Sequence, residues 1–151
     1  MSVLDEPGHR ELAVDTYNAA WDLVDSPTRT ITEEDEALRL AFTSRYHWEQ
    51  AGGGDEQLAI GDWFIGHVAA HLGLAELALR FSARALDRVE AAGIEGWMLA
   101  SAYEGMARAN AVAGNREERE RFAALSQSTL ETVEDPEERE VIEEQLGSIP
   151  D

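Results

Sequence analysis

Apolar and small residues recur along nearly the whole chain at spacings of three and four, and nowhere alternate in twos, so the pattern predicts helices throughout and no strand. The first helix opens near Asp5 and Pro7, carries Ala13, Tyr17, Ala20, Trp21 and Val24 on one stripe, and stops at Asp25-Ser26-Pro27. A second is expected to open at Thr32, with Asp35 standing where a capping box has Glu, and to run to the Gly52-Gly53-Gly54 break. Asp55 is the expected cap of a third helix ending at Gly73; a fourth follows at once through Leu77, Phe81, Ala85 and Val89 to Gly93. So tight a join predicts an antiparallel pair. The fifth spans Trp97 to Ala113 and ends at Gly114, handing over to a sixth that is expected to begin with Asn115 as cap and Glu118 three residues on. In the seventh, Asp135 caps, Pro136 takes the first helical position, Glu137 and Glu138 face the positive end of the dipole, and Gly147 closes it before Pro150.

The third and fifth helices are apolar or small nearly all the way round, which marks them as interior. In the third, Leu58, Ile65, Ala69 and Leu72 form one side and Ile60, Phe64 and Val68 another, leaving Asp62, His67 and His71 as the polar side chains after its first turn. Alanines and Gly105 in the fifth let neighbouring backbones come close, while Asn110 lies among Leu99, Tyr103 and Met106. The seventh shows only a narrow stripe of Val141, Ile142 and Leu146, as a terminal helix with one neighbour should. The expected fold is therefore all-α: one domain over 1–151, with antiparallel hairpins at about 6–50, 55–92 and 97–133 and a capping helix at 135–147.

From Gly61 to Leu86 the chain resembles a tetratricopeptide repeat: Trp63 lies near that motif's first aromatic, and Gly66, Gly73, Ala78, Ala85 and Leu86 fall on its small and apolar positions. A second stretch, Tyr103 to Ser126, fits at Tyr103, Ala107 and Gly114 but has Arg119 where a small residue belongs. Gly73 and Gly114 are farther apart than the repeat period of about 34 residues, which places an insertion in the Gly93 to Trp97 connection. More narrowly, Ser44-Arg45-Tyr46-His47-Trp48, the Gly61-Asp62-Trp63 turn and the run Ala102 to Ala109 are similar to a family of uncharacterised actinobacterial helical proteins, a resemblance that bears on architecture alone. The tetratricopeptide resemblance implies that the first helix of each hairpin lines a concave face. Tyr17, Trp21, Trp63, His67, His71, Glu104 and Arg108 would then share a groove.

Charge narrows the partners. Acids outnumber bases 31 to 12, for a formal net charge of −19, and every one of those bases is arginine. Such a field repels phosphate backbones and anionic lipid, so neither nucleic acid nor a membrane is an expected partner. There is no cysteine, hence no disulfide and no thiolate chemistry, and the first residues have acids where a secretory leader would have bases, so a cytoplasmic location is expected.

Candidate chemistry is sparse. His67 and His71 are four apart, so both rings share a face and could hold a metal with His47, Asp62 or Glu104 as a third ligand, but Val68 stands where a His-Glu-x-x-His site has its Glu. The more economical reading is imidazoles satisfied within the fold or partly exposed. Asp62 falls at a buried angle and needs a base, which Arg45 or Arg84 is placed to supply as a salt bridge between hairpins. Arg80, Arg84 and Arg88 make a basic stripe, read as a solvated face paired with Glu76. Gly52-Gly53-Gly54 lacks the Lys and Ser or Thr of a phosphate loop, and no Ser sits in a nucleophile elbow. The sequence thus points to a protein or peptide interaction module without cofactor or catalytic centre. The alternatives are a homodimer joined through exposed Trp48 or Trp97, and a metal- or small-ligand-binding protein using the histidines.

Overall fold

The computed structural model describes residues 3–151, and among these the regular elements are seven helices and no strand. They are α1 (Glu6–Asp25), α2 (Ile31–Gln50), α3 (Asp55–His71), α4 (Ala75–Ala91), α5 (Trp97–Ala113), α6 (Arg116–Leu130) and α7 (Pro136–Gly147). The most extensive contacts join α1 with α2, α3 with α4 and α5 with α6, giving three hairpins; α3 and α5 also pack on each other, and α7 lies on α5 and α6.

The helix ends follow local chemistry, with three corrections to the expected caps. α2 begins two residues earlier than expected, because Thr30 and Glu33 form the complete capping box: the Glu33 amide donates to Thr30 Oγ1 at 3.2 Å and the Thr30 amide donates to Glu33 Oε1 at 3.1 Å. Asp55 is the first residue of α3 and not its cap. Gly54 takes that place, with its amide donating to Gln57 Oε1 at 3.0 Å, which frees Asp55 to pair with Arg88. Asn115 is the cap residue of α6, but its side chain donates to Asn110 Oδ1 at 3.1 Å instead of capping the helix with Glu118. The caps at Asp5 and Asp135 form as expected, accepting from the Gly8 and Glu137 amides.

Every residue of α3 from Gly61 to Ala70 is buried, as its apolar circumference predicts. Phe64, Ile65 and Val68 are fully enclosed, and Phe64, Ile65 and Val68 share a core with Ala20, Val24, Ala37 and Ala41 of the first hairpin. Each such side chain contributes about 1.5–3 kcal/mol by leaving water. On the other side Leu86, Val89, Met98, Ala102, Ala107 and Phe122 form a second core that Ile149, beyond α7, completes. Glycine sets the spacing at two crossings. A Cβ on Gly66 would stand 2.5 Å from Ser82 Oγ and 3.0 Å from the Ser82 amide nitrogen, and one on Gly105 would stand 2.9 Å from the Trp63 ring.

Gly66→Ala should therefore force α3 away from the α4 backbone and cost about 1–2 kcal/mol after the gain in helix propensity. Gly147→Ala, where a Cβ meets nothing within 4 Å, should leave stability nearly unchanged. Thermal unfolding of the two variants checks this, and a Gly66→Ala protein as stable as the wild type would show that the crossing is looser than described.

Candidate functional site

A cleft of about 360 Å³ opens between α1 and α7, floored by α3, α4 and α5. Tyr17 and Trp21 come from α1, Ile60 and Trp63 from α3, Trp97 and Ser101 from α5, and Glu138, Val141 and Ile142 from α7. The remaining wall is alanine, valine, methionine and Gln145. Helical spacing explains the set: Tyr17 and Trp21, Trp97 and Ser101, and Glu138 and Ile142 are each four apart, so each pair faces one way. Trp63 is buried with only an edge showing, whereas Tyr17 and Trp21 are half-buried and Trp97 is 38% exposed.

Behind this wall runs a chain of rings. Trp21 lies 4.9 Å from Phe64 and 5.0 Å from His67 between ring centres; Trp63 stacks on His67 at 4.8 Å, and His67 meets His71 at 4.5 Å. Beside them Glu104 and Arg108 form a buried pair, Nε to Oε1 at 2.9 Å, with the carboxylate fully enclosed. Arg108 Nη2 also donates to the Gln145 carbonyl and to Ser148 Oγ, both at 2.8 Å, and so ties α5 to the end of α7. Burial pushes the Glu104 carboxyl above its ordinary range, opposed by Arg108 and by the Trp63 indole. The His67 imidazole is held well below its ordinary value, first by burial and then by repulsion from His71 and Arg108. His71 is drawn down to about 4, by burial of its ring, Arg108 and Arg29, although the residue as a whole remains exposed.

Of the residues expected to share a groove, Tyr17, Trp21 and Trp63 do line the cleft. His67, Glu104 and Arg108 are brought together as expected, but beneath the wall, where their side chains are 4% exposed or less. Burial keeps all three from a partner: Arg108 is spent on Glu104, Gln145 and Ser148, while Glu104 Oε2 and, against the expectation of satisfied imidazoles, His67 Nδ1 have no hydrogen-bond partner. His71 lies at the far end of the ring chain and outside the cleft. The candidate third metal ligands are engaged elsewhere: His47 pairs with His9, Nδ1 to Nδ1 at 2.8 Å, between α1 and α2, Asp62 with Arg45, and Glu104 with Arg108. Among the described residues no three His, Asp or Glu side chains gather at metal-ligand spacing.

Asp62 is buried as its helical angle predicts, and Arg45 supplies the expected bond, Nε to Oδ1 at 3.0 Å. Its second cation is Arg88 at 4.0 Å and not Arg84, whose guanidinium lies over the Phe81 ring. Burial raises the Asp62 carboxyl while Arg45, Arg88 and Arg84 oppose that shift. Arg80 pairs loosely with Glu76 at 3.8 Å, both side chains exposed, and Trp48, expected to be exposed, is half-buried beneath Arg10. The α7 wall went unread in the sequence, although Glu138, Ile142 and Gln145 recur there at helical spacing. No family model, curated protein or solved structure matches the chain, so its own geometry carries the functional reading.

Two outcomes test the buried layer. Arg108→Ala should destabilise the fold by about 3–5 kcal/mol because it strands Glu104 without a countercharge; joining it to Glu104→Leu should recover much of that loss in a double-mutant cycle. Additive losses would show that the pair is not coupled. Because His67 titrates lower in the folded than in the unfolded chain, its contribution is complete above the unfolded value near 6.5 and is lost as pH falls. Between pH 6.5 and 5 the wild type should lose more stability than His67→Gln in urea unfolding, by up to about 1.4 kcal/mol per pH unit, and parallel profiles would remove His67 from the acid response.

Proposed function

We propose that the chain is a non-enzymatic interaction module that holds a segment of a partner protein in the cleft between α1 and α7. The supporting observation is the composition of that cleft: Tyr17, Trp21, Trp63 and Trp97 converge there on an apolar floor. Large, rigid aromatic side chains lose little entropy on binding and dominate interface energetics, and a cavity of about 360 Å³ lies at the small end of the ligand-site range. It suits one or two anchoring side chains better than a whole helix. The lining supports binding over chemistry, since no histidine reaches it and Ser101 and Tyr17 have no imidazole base beside them. The polar groups best suited to acid-base work, His67 and Glu104, lie sealed behind the wall.

Selection of a random peptide library on the wild type, with Ser101→Trp as a variant whose cleft is filled, tests the proposal. The enriched peptides should bind the wild type with micromolar affinity, and binding should weaken at least about tenfold in the filled variant. Helical content measured alongside confirms that the variant is folded. Peptides that bind both proteins equally, or no enrichment at all, would end this reading. A concentration-dependent dimer abolished by Ser101→Trp would instead assign the cleft to a second copy of the chain.

A further inference from the structure

Resting on that reading, we infer that the side chain anchored in the cleft is an arginine of the partner segment. Charge and surface argue together. Glu138, half-buried on α7, is the one acidic side chain among the lining residues, and no basic residue joins it. Glu137, Glu140, Glu143 and Glu144 stand exposed on the same helix, in a chain of net charge −19. An approaching cation is drawn in by this field and an anion is turned away. Inside, however, the wall is aromatic and aliphatic, so a compact and strongly hydrated ammonium would give up more water than the cleft returns.

Arginine meets both demands. Its methylene stem suits the apolar wall of Ile60, Val89 and Ile142, and its weakly hydrated guanidinium stacks on indole and phenol rings. The same planar group pairs with a carboxylate through two parallel hydrogen bonds, a role open to Glu138. The protein's own surface uses this chemistry: the exposed Arg84 lies over Phe81, Arg121 over Phe122 and Arg10 over Trp48, with guanidinium carbons 4.2–6.0 Å from the ring centres. A glutamate, or a wholly apolar side chain, would leave Glu138 repelled or unpaired at the edge of an aromatic cavity.

The test uses two short blocked peptides, identical in an apolar sequence except for a central arginine in one and its neutral isostere citrulline in the other, with methylguanidinium ion as a third probe. Binding is followed by tryptophan fluorescence and calorimetry on the wild type, Glu138→Gln, Ser101→Trp and Glu120→Gln, the last removing an exposed charge from α6 as a control for net charge. The arginine peptide should bind at least about tenfold more tightly than the citrulline peptide, and about fivefold to tenfold more weakly to Glu138→Gln, with Glu120→Gln within about twofold of the wild type. Equal affinity for the two peptides, or equal weakening by both charge removals, overturns the arginine and leaves the cleft reading standing. Binding of neither peptide, or binding that Ser101→Trp leaves intact, overturns both. Methylguanidinium binding as tightly as the arginine peptide would make this a site for a small cation and exclude the partner segment.

Discussion

The close approach of α3 and α5 at Gly105 governs the rest of the structure. The Trp63 ring occupies the space a side chain at position 105 would fill, and the same ring forms the floor of the cleft on one side and a stacking surface for His67 on the other. Close packing of this kind leaves little slack; a methyl group in the gap would have to push the Trp63 ring from its place. The cleft therefore inherits its shape from an interior contact, and its aromatic floor is held by atoms that no partner touches.

The Glu104–Arg108 pair belongs to the same constraint. Burying two charges costs several kcal/mol apiece, and their attraction repays it only where the remaining hydrogen-bonding groups are satisfied. Here Arg108 also donates to the carbonyl of Gln145 and the hydroxyl of Ser148, while Glu104 Oε2 has no hydrogen-bond partner, so the bonds that Arg108 makes beyond Glu104 exist only when α7 is docked. Arg119 reinforces the docking through the carbonyls of Ile149 and Pro150. A pair that sequence reasoning places on a recognition surface thus acts as a positioning device. It fixes the helix that carries Glu138, Val141 and Ile142, and with them the far wall of the cleft.

Legibility in the sequence followed the physics of each feature. Helix number, the joins at Gly73 and Gly114, the burial of α3 and the need of Asp62 for a basic partner are readable, because periodicity, stop signals and helical angle are local properties, whereas the choice of Arg45 over Arg84 is not. Cap residues were less so, since Thr30-Glu33 and Thr32-Asp35 satisfy nearly the same rule and only the helix register decides between them. The histidines show a different limit. Two rings four residues apart announce a shared face, but whether His47 joins them depends on how α1 and α2 meet α3, which no local pattern encodes. Likewise α7 reads as a cap from its narrow stripe, and its second duty as a wall depends on its contact with α5.

The division of labour across the two inner helices is what makes a binding role coherent with so little exposed chemistry. Polar side chains on α3 and α5 are expensive to bury, and most of those found there are engaged in structure: Asp62 with Arg45, Glu104 with Arg108, and Asn110 with the Met106 carbonyl and Asn115, whereas His67 is stacked on Trp63 with Nδ1 unpartnered. That leaves the cleft-facing positions of the same helices free to be aromatic or small. A surface of that kind is costly to leave facing water, and Trp97, Trp21 and Val141 remain partly exposed along it. Covering these side chains would gain apolar burial at a concave site, unlike covering Ile31, Phe42 or Tyr46, which are exposed outside the cleft, and Glu138 is the one carboxylate among the residues that line it.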